Sequence, residues 1–147
     1  MKVDETNIAI IRHLRTGRKS FKKIADDLGI TESTVRSRVG KLVEDGFLEI
    51  TGMVDPECIP GHELALVGVK LSTMNLVKKG EEFSRLKGVV SVMVVTGRYD
   101  LIISILLNEE FKLLDFYTKE VDRIEGVQSV ETFVVYKGFN LKVPYIL

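Results

Sequence analysis

The sequence predicts an α+β chain: an N-terminal winged helix-turn-helix followed by a C-terminal ferredoxin-like βαββαβ domain. Three observations predict it. The stretch SFKKIADDLGITESTVRSRVGKLVEDG (20–46) has the caps, glycine stop and apolar registry of two helices joined by a tight turn. After residue 63 the apolar pattern shifts to strand-like runs separated by helical ones. Within that second part, Arg85-Leu86-Lys87-Gly88-Val89-Val90-Ser91-Val92 recurs as Arg123-Ile124-Glu125-Gly126-Val127-Gln128-Ser129-Val130, an offset of 38 residues.

In the first part, Ser20 caps a helix because its hydroxyl oxygen accepts a free backbone N–H. Ile24, Ala25 and Leu28 share one face, and Gly29 ends the helix where a positive φ carries no Cβ clash. Thr31 caps the next helix, whose buried stripe is Val35, Val39 and Leu42. Ala25, Gly29 and Val35 therefore sit at helix-turn-helix spacing. The second helix carries Thr31, Thr34, Arg38 and Lys41 along one face, with Ser33, Arg36 and Ser37 beside them. Such a helix fits a DNA major groove, with hydroxyls at base edges and cations at bases or phosphates. An ordinary helical hairpin with a solvated charged face has a similar composition, but the agreement of caps, glycine and registry favours DNA. Upstream, Asp4 caps a supporting helix that is expected to bury Ile8, Ile11 and Leu14. Downstream, Phe47-Leu48-Glu49-Ile50 alternates and is expected to form a short wing strand.

Composition sets limits. The 147 residues, 45% of them apolar, make a real core possible in one ordinary domain or two small ones. Net charge is zero, which excludes a globally basic nucleic-acid protein. Residues 1–50 hold 10 Lys/Arg against 8 Asp/Glu, and the remainder 11 against 13. Arg12, Arg15, Arg18, Lys19, Lys22 and Lys23 form a run without an intervening acid, suited to phosphates or simply to a solvated helix end. Cys58 is the only cysteine, so neither an intramolecular disulfide nor a thiolate metal cluster is available. No apolar run reaches membrane-spanning length and no signal peptide is apparent, so a cytoplasmic protein without a membrane partner is expected.

Pro56, Pro60 and Gly61 mark residues 52–63 as a linker between a DNA-binding domain at 1–51 and the second domain at 64–147. That domain reads strand Leu64–Ser72, helix from about Leu76, the first repeat, strand Leu101–Leu107, helix Glu109–Ile124 and the second repeat. The last helix is expected to bury Phe111, Leu114, Tyr117 or Thr118, and Val121. Right-handed crossovers would place both helices on one sheet face and leave the other for a second copy, as a homodimer. Thr96-Gly97-Arg98-Tyr99-Asp100 joins two strands and carries the groups needed to hold a small zwitterion. Gly-x-Tyr-Asp is also a plain hairpin turn, and the residues alone favour the turn.

Together these residues carry a resemblance. Asp4 near the start, Ile24-Ala25, Leu28-Gly29-Ile30, Thr34-Val35, Arg38-Val39, Leu42-x-x-x-Gly46, Asp55-Pro56, Gly88-Val89, Val95-Thr96-Gly97-x-Tyr99-Asp100 and Gly126-Val127 make the chain similar, over essentially its whole length, to the leucine-responsive/asparagine-operon (Lrp/AsnC) family of transcription regulators. The resemblance implies dimers that assemble into octamers or similar rings, with an amino acid bound between dimers. It places that effector at Thr96, Gly97, Arg98, Tyr99 and Asp100, with Thr132 of a neighbouring subunit and Gln128. Three features depart from the family pattern: a linker one residue longer at 56–61, Arg98 at a variable position, and a tail, GFNLKVPYIL (138–147), expected to dock on a partner subunit.

The expected function is thus a sequence-specific regulator that binds double-stranded DNA as a dimer, on roughly palindromic half-sites about 34 Å or more apart. Lys22, Thr31, Ser33, Thr34, Arg36, Ser37, Arg38 and Lys41 are the expected DNA contacts. No cofactor, metal or catalytic residue is expected, only an amino-acid effector. An effector-independent architectural DNA-binding protein is one alternative. An enzyme of the sirohaem-decarboxylase kind is disfavoured, because the two histidines lie in the first helix and the linker.

Overall fold

Three capped helices build the first of two units, which divide between Thr51 and Gly52 in a computed structural model that describes residues 3–147. Asp4 accepts the N–H of Asn7 ahead of α1 (Glu5–Leu14). Ser20 accepts that of Lys23 ahead of α2 (Phe21–Leu28), and Thr31 that of Thr34 ahead of α3 (Glu32–Glu44). Gly29 ends α2 in the left-handed conformation, φ 65°, as a C-terminal stop requires. Ile10, Ile24, Ala25, Val35 and Val39 form the core, with Leu14, Leu28 and Leu48 packed against it. In α1 the buried positions are Asn7 and Ile10 rather than Ile8, which is 43% exposed, while Ile11 and Leu14 are only half-buried. The inward face is rotated because Asn7 turns in to meet α3. Residues 47–50 form no strand: Phe47 and Ile50 are exposed, and among the described residues no segment of this unit supplies a ladder partner. The wing is therefore absent.

The second unit is a four-stranded antiparallel sheet carrying two helical segments. Its strands are β2 (Glu63–Leu71), β3 (Val89–Val94), β4 (Leu101–Leu107) and β5 (Val127–Val134), in spatial order β3-β4-β2-β5, the ferredoxin-like arrangement. Helix α4 (Leu76–Ser84) precedes β3, and α5 spans 113–123 before β5. Alternation assigns the faces. Ala65, Val67, Val69 and Leu71 of β2 and Leu101, Ile103, Ile105 and Leu107 of β4 lie under Phe83 of α4 and Phe116 and Val121 of α5, so both helices cover one face.

Helix α5 departs from the expected phase. It opens as one α turn (Leu113–Asp115), widens into a π turn (Phe116–Glu120) and tightens into a 3-10 turn (Val121–Arg123). The Val121 N–H reaches back to the Phe116 carbonyl, which brings Phe116 and Val121 toward the same side. Leu114, expected inside, is 73% exposed, whereas Phe116 is fully buried. Phe111 is buried, but from the loop before the helix, where Asn108 Oδ1 accepts its N–H.

Residues 52–63 are not a free linker. Strand β1 (Met53–Val54) pairs antiparallel with β6 (Val143–Pro144), and Pro56–Cys58 forms a 3-10 turn capped by Asp55. The tail, expected on a partner subunit, docks here on its own chain. Val143 packs on Leu64 and Leu106, on the sheet face away from the helices. Glu57 accepts from Lys137 Nζ at 2.5 Å and from the Gly138 N–H at 2.6 Å, and Asp55 pairs with Lys142 at 3.3 Å. Among the described residues no helix is long and apolar enough to cross a membrane.

Two glycines separate backbone demand from mere absence of a side chain. Gly88 has φ 80°, and a Cβ there would lie 2.6 Å from the Phe111 ring and 2.9 Å from the Leu106 carbonyl. Gly40 sits within α3, and a Cβ there would meet nothing within 4 Å. Chemical denaturation should therefore show Gly88→Ala losing more than about 1 kcal/mol and Gly40→Ala gaining about 0.5–1 kcal/mol. Equal effects at the two sites would contradict this assignment.

Candidate nucleic-acid face and effector loop

The outward side of α3 follows from its buried stripe. Opposite Val35, Val39 and Leu42 lie Ser33, Ser37, Gly40 and Glu44, all exposed. Arg36 and Lys41, also exposed, flank them on either side. At the N-terminus of α3, the Thr31 hydroxyl gathers the Ser33 hydroxyl at 2.9 Å and the Thr34 hydroxyl at 2.8 Å, a cluster of donors and acceptors where backbone N–H groups are also free. Arg36 pairs with Glu32 at 2.8 Å and lies 5.4 Å from the centroid of the Phe21 ring. Lys22 is exposed on α2.

Arg38 points elsewhere. Its Nη1 donates to Asp4 Oδ1 at 2.8 Å, Asp4 Oδ2 at 2.7 Å and Asn7 Oδ1 at 3.0 Å. The Arg38 hydrogen bond, followed by that from the Asn7 N–H, holds the Asp4 carboxyl below its ordinary value of 3.8. On the other side of the unit, Lys19 pairs with Asp27 and donates to His13 Nδ1 at 2.7 Å.

The loop at 96–100 is built around Asp100. Its Oδ2 accepts the Leu71 N–H at 2.8 Å and its Oδ1 the Lys70 ammonium at 2.8 Å. These bonds, the backbone one first, hold its carboxyl below the ordinary value of 3.8. Both oxygens are thus committed to shaping the loop, so Asp100 is not a ready acceptor for a ligand ammonium. Gly97 has φ 124°, a conformation that favours glycine. Tyr99 lies over Gly68, where an added Cβ would meet its ring at 2.8 Å. The Tyr99 hydroxyl donates to Glu131, which raises the phenol pKa, and Glu131 also pairs with Arg98 at 3.1 Å. Lys70 and Glu131 were not among the expected site residues. The signal was available in strand alternation: Glu131 pairs with Gly68 and Lys70 with Ser129, which brings both to the sheet face on which Tyr99 lies.

With Arg98, Tyr99, Ser129 and Val130 they line an open depression of about 410 Å³. Thr96, Gly97 and Arg98 are exposed, the last at 78%, and so is Gln128. Thr132 is directed to the opposite, helix-covered face, where its hydroxyl bonds that of Tyr117. Within one chain, Thr132 therefore does not meet Tyr99.

A capped helix-turn-helix followed by a ferredoxin-like sheet with a shaped loop defines a two-domain DNA-binding regulator. The model of the AsnC-type helix-turn-helix domain matches residues 3–43, and that of the Lrp/AsnC ligand binding domain matches residues 64–141. The chain belongs to the Lrp/AsnC family and is a DNA-binding transcription regulator of that type. The HTH-type transcriptional regulator FL11 of Pyrococcus horikoshii is 28% identical, over 92% of this chain and 90% of its own. The regulator Ptr1 of Methanocaldococcus jannaschii is 28% identical, over 94% and 95%. Among solved structures, E. coli AsnC superposes with a TM-score of 0.69 at 20% identity, covering 94% of this chain and 95% of its own. The Neisseria meningitidis regulator NMB0573, solved as its L-Met complex, gives 0.70 at 19%, covering 99% and 96%.

Because the Asp4 pKa is lowered on folding, its stabilisation is complete above its ordinary value and is lost as pH falls through the folded value. Asp4→Asn, which keeps a capping oxygen, should flatten the acid limb of stability below about pH 4 in the first unit, read by amide hydrogen exchange. An unchanged acid limb would show that the Arg38 pair does not persist in solution.

Proposed function

We propose that this regulator reads DNA by sequence. Ser33 and Ser37 meet base edges, Thr31 and Thr34 meet the backbone at the helix start, and Lys22, Arg36 and Lys41 neutralise phosphates. The observation that carries this is the outward side of α3, where small hydroxyl residues stand between two cations. Short side chains permit close approach to base edges, while the flanking cations reach the phosphate rails. As a homodimer the protein would present two such helices to successive major grooves. We further propose that it acts in the cytoplasm, without catalysis or cofactor, and assembles into octamers or similar rings. An amino acid or related metabolite would bind at Thr96–Asp100, with Thr132 and Gln128 contributed by a neighbouring copy. The L-Met complex of the Neisseria relative supports an amino-acid effector.

The pairing of Asp100, Arg98 and Tyr99 within their own chain favours a second reading, an effector-independent architectural protein. Two measurements separate them. Selection from a random duplex library should enrich roughly palindromic sites if reading is sequence-specific, and nothing if it is not. Thermal stability against the twenty amino acids, with Arg98→Ala alongside, tests the loop. Arg98 is the better probe because its exposed side chain does not frame the loop as Asp100 does. A ligand at a hundred times its Kd adds about 2.7 kcal/mol. A shift lost in the variant assigns the effector, and no shift with any amino acid favours the architectural reading.

A further inference from the structure

We infer that Arg38 is a positioning residue for the reading helix, setting the rotation of α3 through Asp4 and Asn7 rather than touching DNA itself. This rests on the sequence-specific reading above. Arg38 lies on the flank of α3 next to the buried stripe, half-buried, not on the outward side with Ser33 and Ser37. Its Nη1 faces three acceptors from the start of α1, both Asp4 oxygens and Asn7 Oδ1, at 2.7–3.0 Å. Asn7 is 2% exposed, the one buried polar side chain among the described residues. Withdrawing Arg38 toward a phosphate would leave that amide oxygen without its partner inside a packed helix junction, the costly case for a hydrogen bond.

Asp4 is at the same time the N-cap of α1, accepting the Asn7 N–H at 2.8 Å. One carboxylate thus opens α1 and holds the middle of α3. Because neighbouring positions on a helix differ by roughly 100° in direction, a modest turn of α3 changes which side chain faces the bases. A charge-assisted contact from one guanidinium nitrogen, 34 residues apart in sequence and shared with Asn7, is suited to prevent that turn.

The test uses the full-length protein and a duplex enriched from a random library by the unaltered chain. Affinity for that duplex and for a non-enriched one is measured over a range of salt for Arg38→Ala, Asp4→Asn, their combination, and Lys41→Ala. Circular dichroism at the assay temperature confirms that each is folded, and Asp4→Asn, which keeps the cap, serves if Arg38→Ala does not fold. Arg38→Ala and Asp4→Asn should each lower the specific-to-non-specific ratio about tenfold, the combination should be no worse than Arg38→Ala, and neither should alter the salt slope. Lys41→Ala should lower that slope by about one. A role confined to stability would leave the ratio of the folded variants unchanged, and that result overturns the proposal. So does a slope reduced by about one in Arg38→Ala while Asp4→Asn binds normally, which marks a direct phosphate contact. A library that yields no enriched duplex overturns the sequence-specific reading, and the positioning role with it.

Discussion

The two-residue alternation of β2 governs the second unit. Ala65, Val67, Val69 and Leu71 turn to the helices, and that choice sends Leu64, Leu66, Gly68 and Lys70 to the other face. The features that distinguish this domain are attached to three of those positions. Tyr99 rests on Gly68, Asp100 is held by Lys70, and the tail residue Val143 covers Leu64. A slip of one residue in the β2–β4 register would bury Lys70 under α4 and expose Val69, so the hydrophobic pattern enforces the loop geometry.

The same face is only partly covered. The tail shields the end at Leu64 and Leu106, while Phe133 and Met93 remain exposed and Leu66 and Ile102 half-exposed. The apolar surface left open is smaller than the sheet alone would present. The pairing of β1 with β6, and the grip of Glu57 on Lys137 and Gly138, hold the tail against this face.

Legibility in the sequence followed the range of the interactions. Asp4, Ser20, Thr31 and Gly29 were readable because a cap or stop is decided within a few residues. The strands and the repeat glycines were readable for the same reason, and the shared face of the two helices followed from crossover handedness. In α5, Phe111, Tyr117 and Val121 were placed correctly, while Leu114 was not: Phe116 takes the buried place beside Val121 through the π turn, which has no signature in an apolar pattern. The wing failed because alternation at 47–50 promises a strand only where a partner exists. The tail's apolar alternation was correct as a docking signal, but which surface receives it depends on contacts some ninety residues away in sequence, Val143 against Val54. On α3, the stripe through Thr34 and Arg38 lies to one side of the outward-facing residues. The buried residues Val35, Val39 and Leu42 already imply Ser33 and Ser37, whereas the Arg38 partners Asp4 and Asn7 lie in a different helix.

The central claim is that α3 enters the major groove of a two-fold site. A guanine methylation-interference footprint on a selected duplex tests this most directly, because guanine N7 is exposed in that groove. The account predicts two short clusters of interference, symmetric about a centre and separated by one or more helical turns on one side of the duplex. Uniform weakening along the duplex, or none in the major groove, would contradict it.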